Sequence, residues 1–139
     1  MEQALADIKS RVPDFAGYAD ESTRRLADEQ IRAIVGEALA LLHFNHEEFF
    51  NTPEVTEVYD RLILRCEFTN QRVFKEFEYE TLSEERKTAI ARADEALIDT
   101  ALRAENVTAD QLPGYLDDLE KAFDNRDAAL TGTLPTGQQ

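Results

Sequence analysis

The only two histidines of the chain fall in His43-Phe44-Asn45-His46-Glu47-Glu48. On a continuous helix His43 is one turn from both His46 and Glu47, a spacing that can seat a transition metal. Ligands from one helix do not close a site. The Glu-x-x-His pair that carboxylate di-metal bundles place on two helices is also absent, because residues 40 and 43 are Ala40 and His43. Metal or small-ligand binding by His43, His46 and Glu47 is therefore the alternative reading. The preferred one is structural, with His46 inside an apolar arc where it needs a hydrogen-bond partner, and His43 at the edge of that arc.

A second set of residues suits recognition rather than catalysis. Arg61, Arg65 and Arg72 recur at helical spacing with Phe68, and Leu64 and Lys75 lie beside them. Arginine and aromatic side chains are enriched at the centres of protein interfaces, so Arg61, Leu64, Arg65, Phe68 and Arg72 form the candidate interface. The competing reading is that the arginines pair with neighbouring carboxylates and that the N-terminal segment covers Phe68. Asp117, Glu120, Asp124 and Asp127 form the complementary stripe at three-four-three spacing. It can meet the basic stripe within the fold, across a homodimer or on a basic partner, or simply face solvent.

Other chemistry has no signature here. The sequence lacks a glycine-rich phosphate loop, a nucleophile elbow, HExxH, CxxC and the calcium-loop pattern of alternating Asp/Asn about a glycine. Cys66 falls on a core stripe, where a thiol behaves as a small apolar residue. The reading leans away from an enzyme and assigns no catalytic residue and no cofactor.

Charge narrows the partners. Fifteen Lys and Arg against 29 Asp and Glu leave a formal charge of −14, which repels nucleic acid and anionic membrane surfaces. The expected partner is a protein or a second copy of the chain, with no nucleic acid and no membrane. Strong acidity also fits a salt-adapted host, or a surface that imitates nucleic acid and occupies a DNA-binding protein. The lone cysteine excludes an internal disulfide, no apolar run spans a bilayer, and MEQALADIKSRV lacks the apolar centre of a signal peptide. A cytoplasmic protein is expected.

The elements that position these residues are all helical. Met1, Leu5, Ile8 and Val12 predict a short helix over 2–12 that Pro13 ends and that docks as a lid. Gly17, between Phe15 and Tyr18, marks a turn, and Asp20 is an N-cap for a helix over about 21–50 whose arc holds Ile31, Ile34, Val35, Ala38, Leu41, Leu42 and Phe49. Thr52-Pro53-Glu54 restarts a helix read over 53–80, with Val55, Tyr59, Leu62, Cys66, Thr69, Val73 and Phe77 facing the core. Ser83 caps a slim helix over 84–105 that packs through Ile90, Ala93, Leu97, Ala101 and Ala104. Thr108 and Gln111 have capping-box spacing before a last helix over 110–130 marked by Leu112, Leu116, Leu119, Phe123 and Leu130. The prediction is an all-α, single-domain, antiparallel up-down four-helix bundle over 1–131 with an extra N-terminal helix, followed by a flexible tail at 132–139.

Overall fold

The structure is a computed structural model that describes residues 2–68, 77 and 81–132. Among these the chain is helical throughout, with five α-helices and no strand: α1 Glu2–Arg11, α2 Glu21–Asn45, α3 Pro53–Glu67, α4 Glu84–Leu102 and α5 Leu112–Thr131. Three short 3₁₀ turns, Glu47–Phe49, Arg103–Asn106 and Ala109–Gln111, join them.

Most start signals act as the sequence predicts; at Thr52 the hydroxyl donates back to the Phe49 carbonyl at 3.3 Å and does not cap α3. The Asp20 side chain accepts from the Thr23 amide while the Thr23 hydroxyl accepts from the Asp20 amide, a reciprocal cap. Pro53 occupies the first turn of α3, and the Ser83 hydroxyl accepts from the Arg86 amide. Thr108 and Gln111 close their capping box one turn before regular helix begins at Leu112, since Pro113 has no amide to give that turn. At the other end of α5 Gly132 takes φ 74°, the left-handed conformation that lets the chain leave a helix without a Cβ clash.

The stop signals are less local, and here two boundaries differ from expectation. Helix α2 ends at Asn45 rather than near 50, and α3 ends at Glu67 rather than near 80, with Phe68 extended at φ −125° and ψ 125°. A helix end leaves carbonyls without intrahelical donors, and long side chains from other elements fill these in turn. Arg32 of α2 donates to the Cys66 carbonyl at 2.9 Å, terminating α3. The Tyr115 hydroxyl lies 2.6 Å from the Thr100 carbonyl and 3.1 Å from that of Ala101, at the end of α4, and Arg86 donates to the Leu130 carbonyl at 2.7 Å. Thr69 and Val73 of the expected α3 stripe lie outside the described residues, whereas Phe77 is described and buried.

Helices α2, α3, α5 and α4 touch in a closed cycle, and α1 lies against α4. Ile31, Val35, Leu42, Leu62, Ile90, Leu97, Leu116 and Leu119 fill the interior. Ile8, Val12, Phe15 and Tyr18 are buried as well, so the N-terminal segment docks on the bundle and contributes to its core. On α2 the buried face is rotated from the expected arc: Arg24, Asp28 and Leu39 are buried, while Leu41 and Phe49 are exposed and Ile34 is half-buried. Polar residues on a core face are invisible to hydrophobic periodicity, and they displaced the arc.

Candidate functional site

Helix α3 presents Arg61, Leu64 and Arg65 outward, and Phe68 follows at its extended end. Arg61 donates from Nε and Nη2 to the two carboxylate oxygens of Glu120 at 2.9 and 3.2 Å. Arg65 donates to Asp124 at 2.8 Å and to Asp127 at 2.9 Å, and its guanidinium lies 4.7 Å from the centre of the Phe123 ring. The basic and acidic stripes therefore meet within one chain, along the α3–α5 seam. Hydrogen bonding from Arg61 holds the Glu120 carboxyl below its ordinary range, and Glu120 in turn raises Arg61. Asp117, the fourth member of the acidic stripe, pairs with Lys121 on its own helix at 3.0 Å. Arg72 lies outside the described residues.

Among the described residues, pairing leaves the apolar members of the stripe exposed. Leu64 is 56 % exposed and Phe68 66 % exposed, so the N-terminal segment does not cover them. They stand four residues apart at the end of a helix whose arginines turn aside to the carboxylates of α5.

Beneath this face lies a charged network that the sequence reading missed. A cavity of about 60 Å³ has Phe68, Arg65 and Asp127 on one side and Asp28, Arg32 and Arg126 on the other. Arg126 of α5 donates from Nη1 to Asp28 of α2 at 2.6 Å and from Nε to Asp94 of α4 at 2.8 Å. The second oxygen of Asp28 accepts from Arg32 at 2.9 Å, and that of Asp94 accepts from the Tyr18 hydroxyl at 2.5 Å. Arg24 extends the network by donating to the backbone carbonyls of Tyr18 at 2.9 Å and Phe77 at 2.8 Å. The aspartates and Arg126 are buried to within a few per cent, so each charge depends on its partners for the solvation that water no longer supplies.

Electrostatics follow from that geometry. Burial alone raises the Asp28 carboxyl, but two guanidiniums, Arg126 first and then Arg32, outweigh it and leave Asp28 below its ordinary range. Asp94 is fully enclosed, and there burial wins over Arg126 and the Tyr18 hydroxyl, so its carboxyl is raised. Burial and the adjacent Asp94 together raise Tyr18. A signal for this network is present in the sequence. Asp28, Asp94 and Arg126 fall on the core-facing positions of their helices, and placing Arg24, Asp28 and Ile31 on one face of α2 exposes the anomaly.

The histidine cluster is arranged for packing. His46 donates from Nε2 to the Val107 carbonyl at 2.9 Å, tying the end of α2 to the connection after α4. His43 stacks edge-on against Phe50 at 4.8 Å and lies 5.7 Å from the Tyr59 ring. Since α2 ends at Asn45, Glu47 belongs to a separate 3₁₀ turn and the three residues do not share one helix. Among the described residues no group of three or more His, Cys, Asp or Glu side chains is placed to hold a metal ion. Burial pushes the Cys66 thiol up to about 11, which keeps it protonated at neutral pH. Among the same residues no helix is long and apolar enough to cross a membrane.

No protein-family model, curated protein or solved structure matches the chain.

Proposed function

We propose that this chain is a cytoplasmic, non-enzymatic helical bundle that works by binding a protein partner or a second copy of itself through the outer face of α3. The observation that carries the reading is the pair Leu64 and Phe68, both more than half exposed, beside arginines already fixed by Glu120, Asp124 and Asp127. A large apolar side chain held beside an ordered charged rim is how interface centres are built, since the rim excludes water and the apolar centre supplies the energy. The rim is preorganised, so association does not have to immobilise the arginines.

The architecture we assign is an antiparallel up-down four-helix bundle of α2, α3, α4 and α5, with α1 added on α4. Its supports are the short connections that make α2–α3 and α4–α5 antiparallel pairs, and the closed cycle that sets these pairs side by side, α3 beside α5 and α2 beside α4, so that among the described residues α3 and α4 lie diagonal.

Size-exclusion chromatography with light scattering tests the self-association form. The expected result is a concentration-dependent mass above that of the monomer, which Phe68→Asp abolishes while leaving the helical circular dichroism unchanged. A monomer at all concentrations, with a hetero-partner pull-down indifferent to Phe68→Asp, removes the α3 face as a contact surface.

A further inference from the structure

A second surface lies on the opposite flank of α2 and differs from the α3 face in its electrostatics. Between α2 and the end of α4 runs a groove of about 270 Å³, floored by Ala38, Ala101 and Ala104 and walled by Ile34, Leu41 and Leu102. Small side chains on the floor let a ligand approach the backbone, and Leu41 and Leu102 expose their apolar surface on either side. Phe44 follows Leu41 by three residues and carries the apolar strip one turn beyond the groove; at 82 % it is the most exposed large apolar side chain among the described residues. From Ile34 to Phe44 the strip is about 15 Å long, the span of roughly three helical turns.

The rim of this groove is acidic. Glu37 stands on α2 between Ile34 and Leu41, and Glu105 closes the far end, and neither has an ion-pair partner among the described residues. Among the described residues the one cation that lines the groove, Arg11, is held by Asp99 and by Glu95 of α4, which leaves that end net negative too. This is the reverse of the α3 face, where arginines consume the local carboxylates. A second copy of so acidic a chain is a poor occupant, because a two-fold contact sets one acidic rim against the other.

We infer that the groove between α2 and α4 is a docking site for a basic amphipathic helix of another protein, which seats apolar residues at i, i+3 or i+4, and i+7 against Ile34, Leu41 and Phe44 and places Lys or Arg over Glu37 and Glu105. Helix-in-groove recognition needs this combination of an apolar trough for one face and a charged rim that selects the flanking residues. The inference shares with the α3 reading only the idea that the chain acts through contacts, and the two surfaces carry no residue in common.

The test uses the full chain and a fluorescent synthetic helix with leucines at the three anchor positions and lysines elsewhere, alongside two controls, one with glutamates for the lysines and one with serines for the leucines. Fluorescence anisotropy is expected to show binding of the leucine-lysine peptide alone, weakened by added salt. Phe44→Ser and Glu37→Lys/Glu105→Lys are each expected to weaken it about tenfold or more, with Phe68→Asp leaving it unchanged. Substitutions at Phe44, Glu37 and Glu105 are all on the surface, so folding is preserved and circular dichroism checks it. Equal binding of the serine control reduces the effect to bulk charge and overturns the inference, as does indifference to the Glu37→Lys/Glu105→Lys variant. A dimer in light scattering that Phe44→Ser dissolves assigns the groove to a second copy, and uptake of a fluorescent acyl chain without peptide binding assigns it to an apolar small molecule. Either result overturns the basic-helix occupant while leaving the α3 reading to its own test.

Discussion

Arg126 and Arg61 each reach across to another helix and grip carboxylate oxygens at hydrogen-bond distance, Arg126 at 2.6 and 2.8 Å and Arg61 at 2.9 and 3.2 Å. Their surroundings differ. The Arg126 side chain is 4 % exposed and that of Arg61 54 %. Around Arg126 little water competes, so the two aspartates and the guanidinium hold one another's charge, and removing the guanidinium strands Asp94. Around Arg61 water and salt stand in for any partner that leaves. The same pair of functional groups is thus structural in one place and replaceable in the other. It follows that the outer face is free to evolve a contact role without cost to the fold.

The strongest way to break this contrast is Arg126→Met, which preserves length and apolar volume but leaves Asp94 buried without a cation and Asp28 with Arg32 alone. A loss of about 3–5 kcal/mol in urea-unfolding stability is expected. Adding Asp28→Asn and Asp94→Asn to that variant recovers part of the loss, because the stranded charges are then neutral. A loss under about 1 kcal/mol would mean that water reaches the network and that the contrast fails.

Tyr18→Phe removes one hydroxyl and leaves one oxygen of Asp94 unsatisfied. The expected cost is about 1–3 kcal/mol. Because Tyr18 also packs at 5.4 Å on Phe15 and 6.2 Å on Phe77, faster amide exchange in the segment between α1 and α2 is expected before any change in α4. Uniform acceleration over the whole chain instead would mean that Tyr18 acts on global stability alone.

Acid sharpens the contrast through Asp28. Its folded carboxyl lies below the ordinary 3.8, so its contribution to stability is fully present above that value and disappears as pH falls through the lower folded value. Asp94 is raised, which gives its own contribution the opposite slope, present at low pH and lost as pH rises. The two are separated by difference: Asp28→Asn is less stable than wild type at pH 6, and the gap narrows as both are titrated to about pH 3. A gap that stays constant over that range would show that the charge of Asp28 is not what Arg126 and Arg32 hold.

The positions of these groups were not equally legible from the chain. Caps are local chemistry within four residues, and Asp20, Pro53, Ser83 and the Thr108–Gln111 box appear in the structure where their types place them. Helix ends were hidden, because Arg32 terminates α3 from 34 residues away and no local pattern records that. The acidic stripe on α5 could be read from spacing, and so could its complementarity to Arg61 and Arg65. Its choice of an internal partner could not, since that depends on which helices become neighbours. The buried network was legible only as a defect, a charged residue on a core face, and the apolar count passed over it.

The smallest expected effect is the most informative about function. Arg61→Ala should leave the urea midpoint where it is, and 1 M salt should make wild type and variant indistinguishable, since the screening length falls to about 3 Å, comparable with the length of the ion pair itself. A double-mutant cycle of Arg61→Ala with Glu120→Gln should show no measurable coupling in stability. The same cycle read on the association of the α3 face is expected to behave differently. There the pair keeps the rim in place around Leu64 and Phe68, so losing either member slows assembly without touching the fold. Coupling in stability with none in association would invert the assignment, and Arg61 would then belong with Arg126 among the groups that hold the helices together.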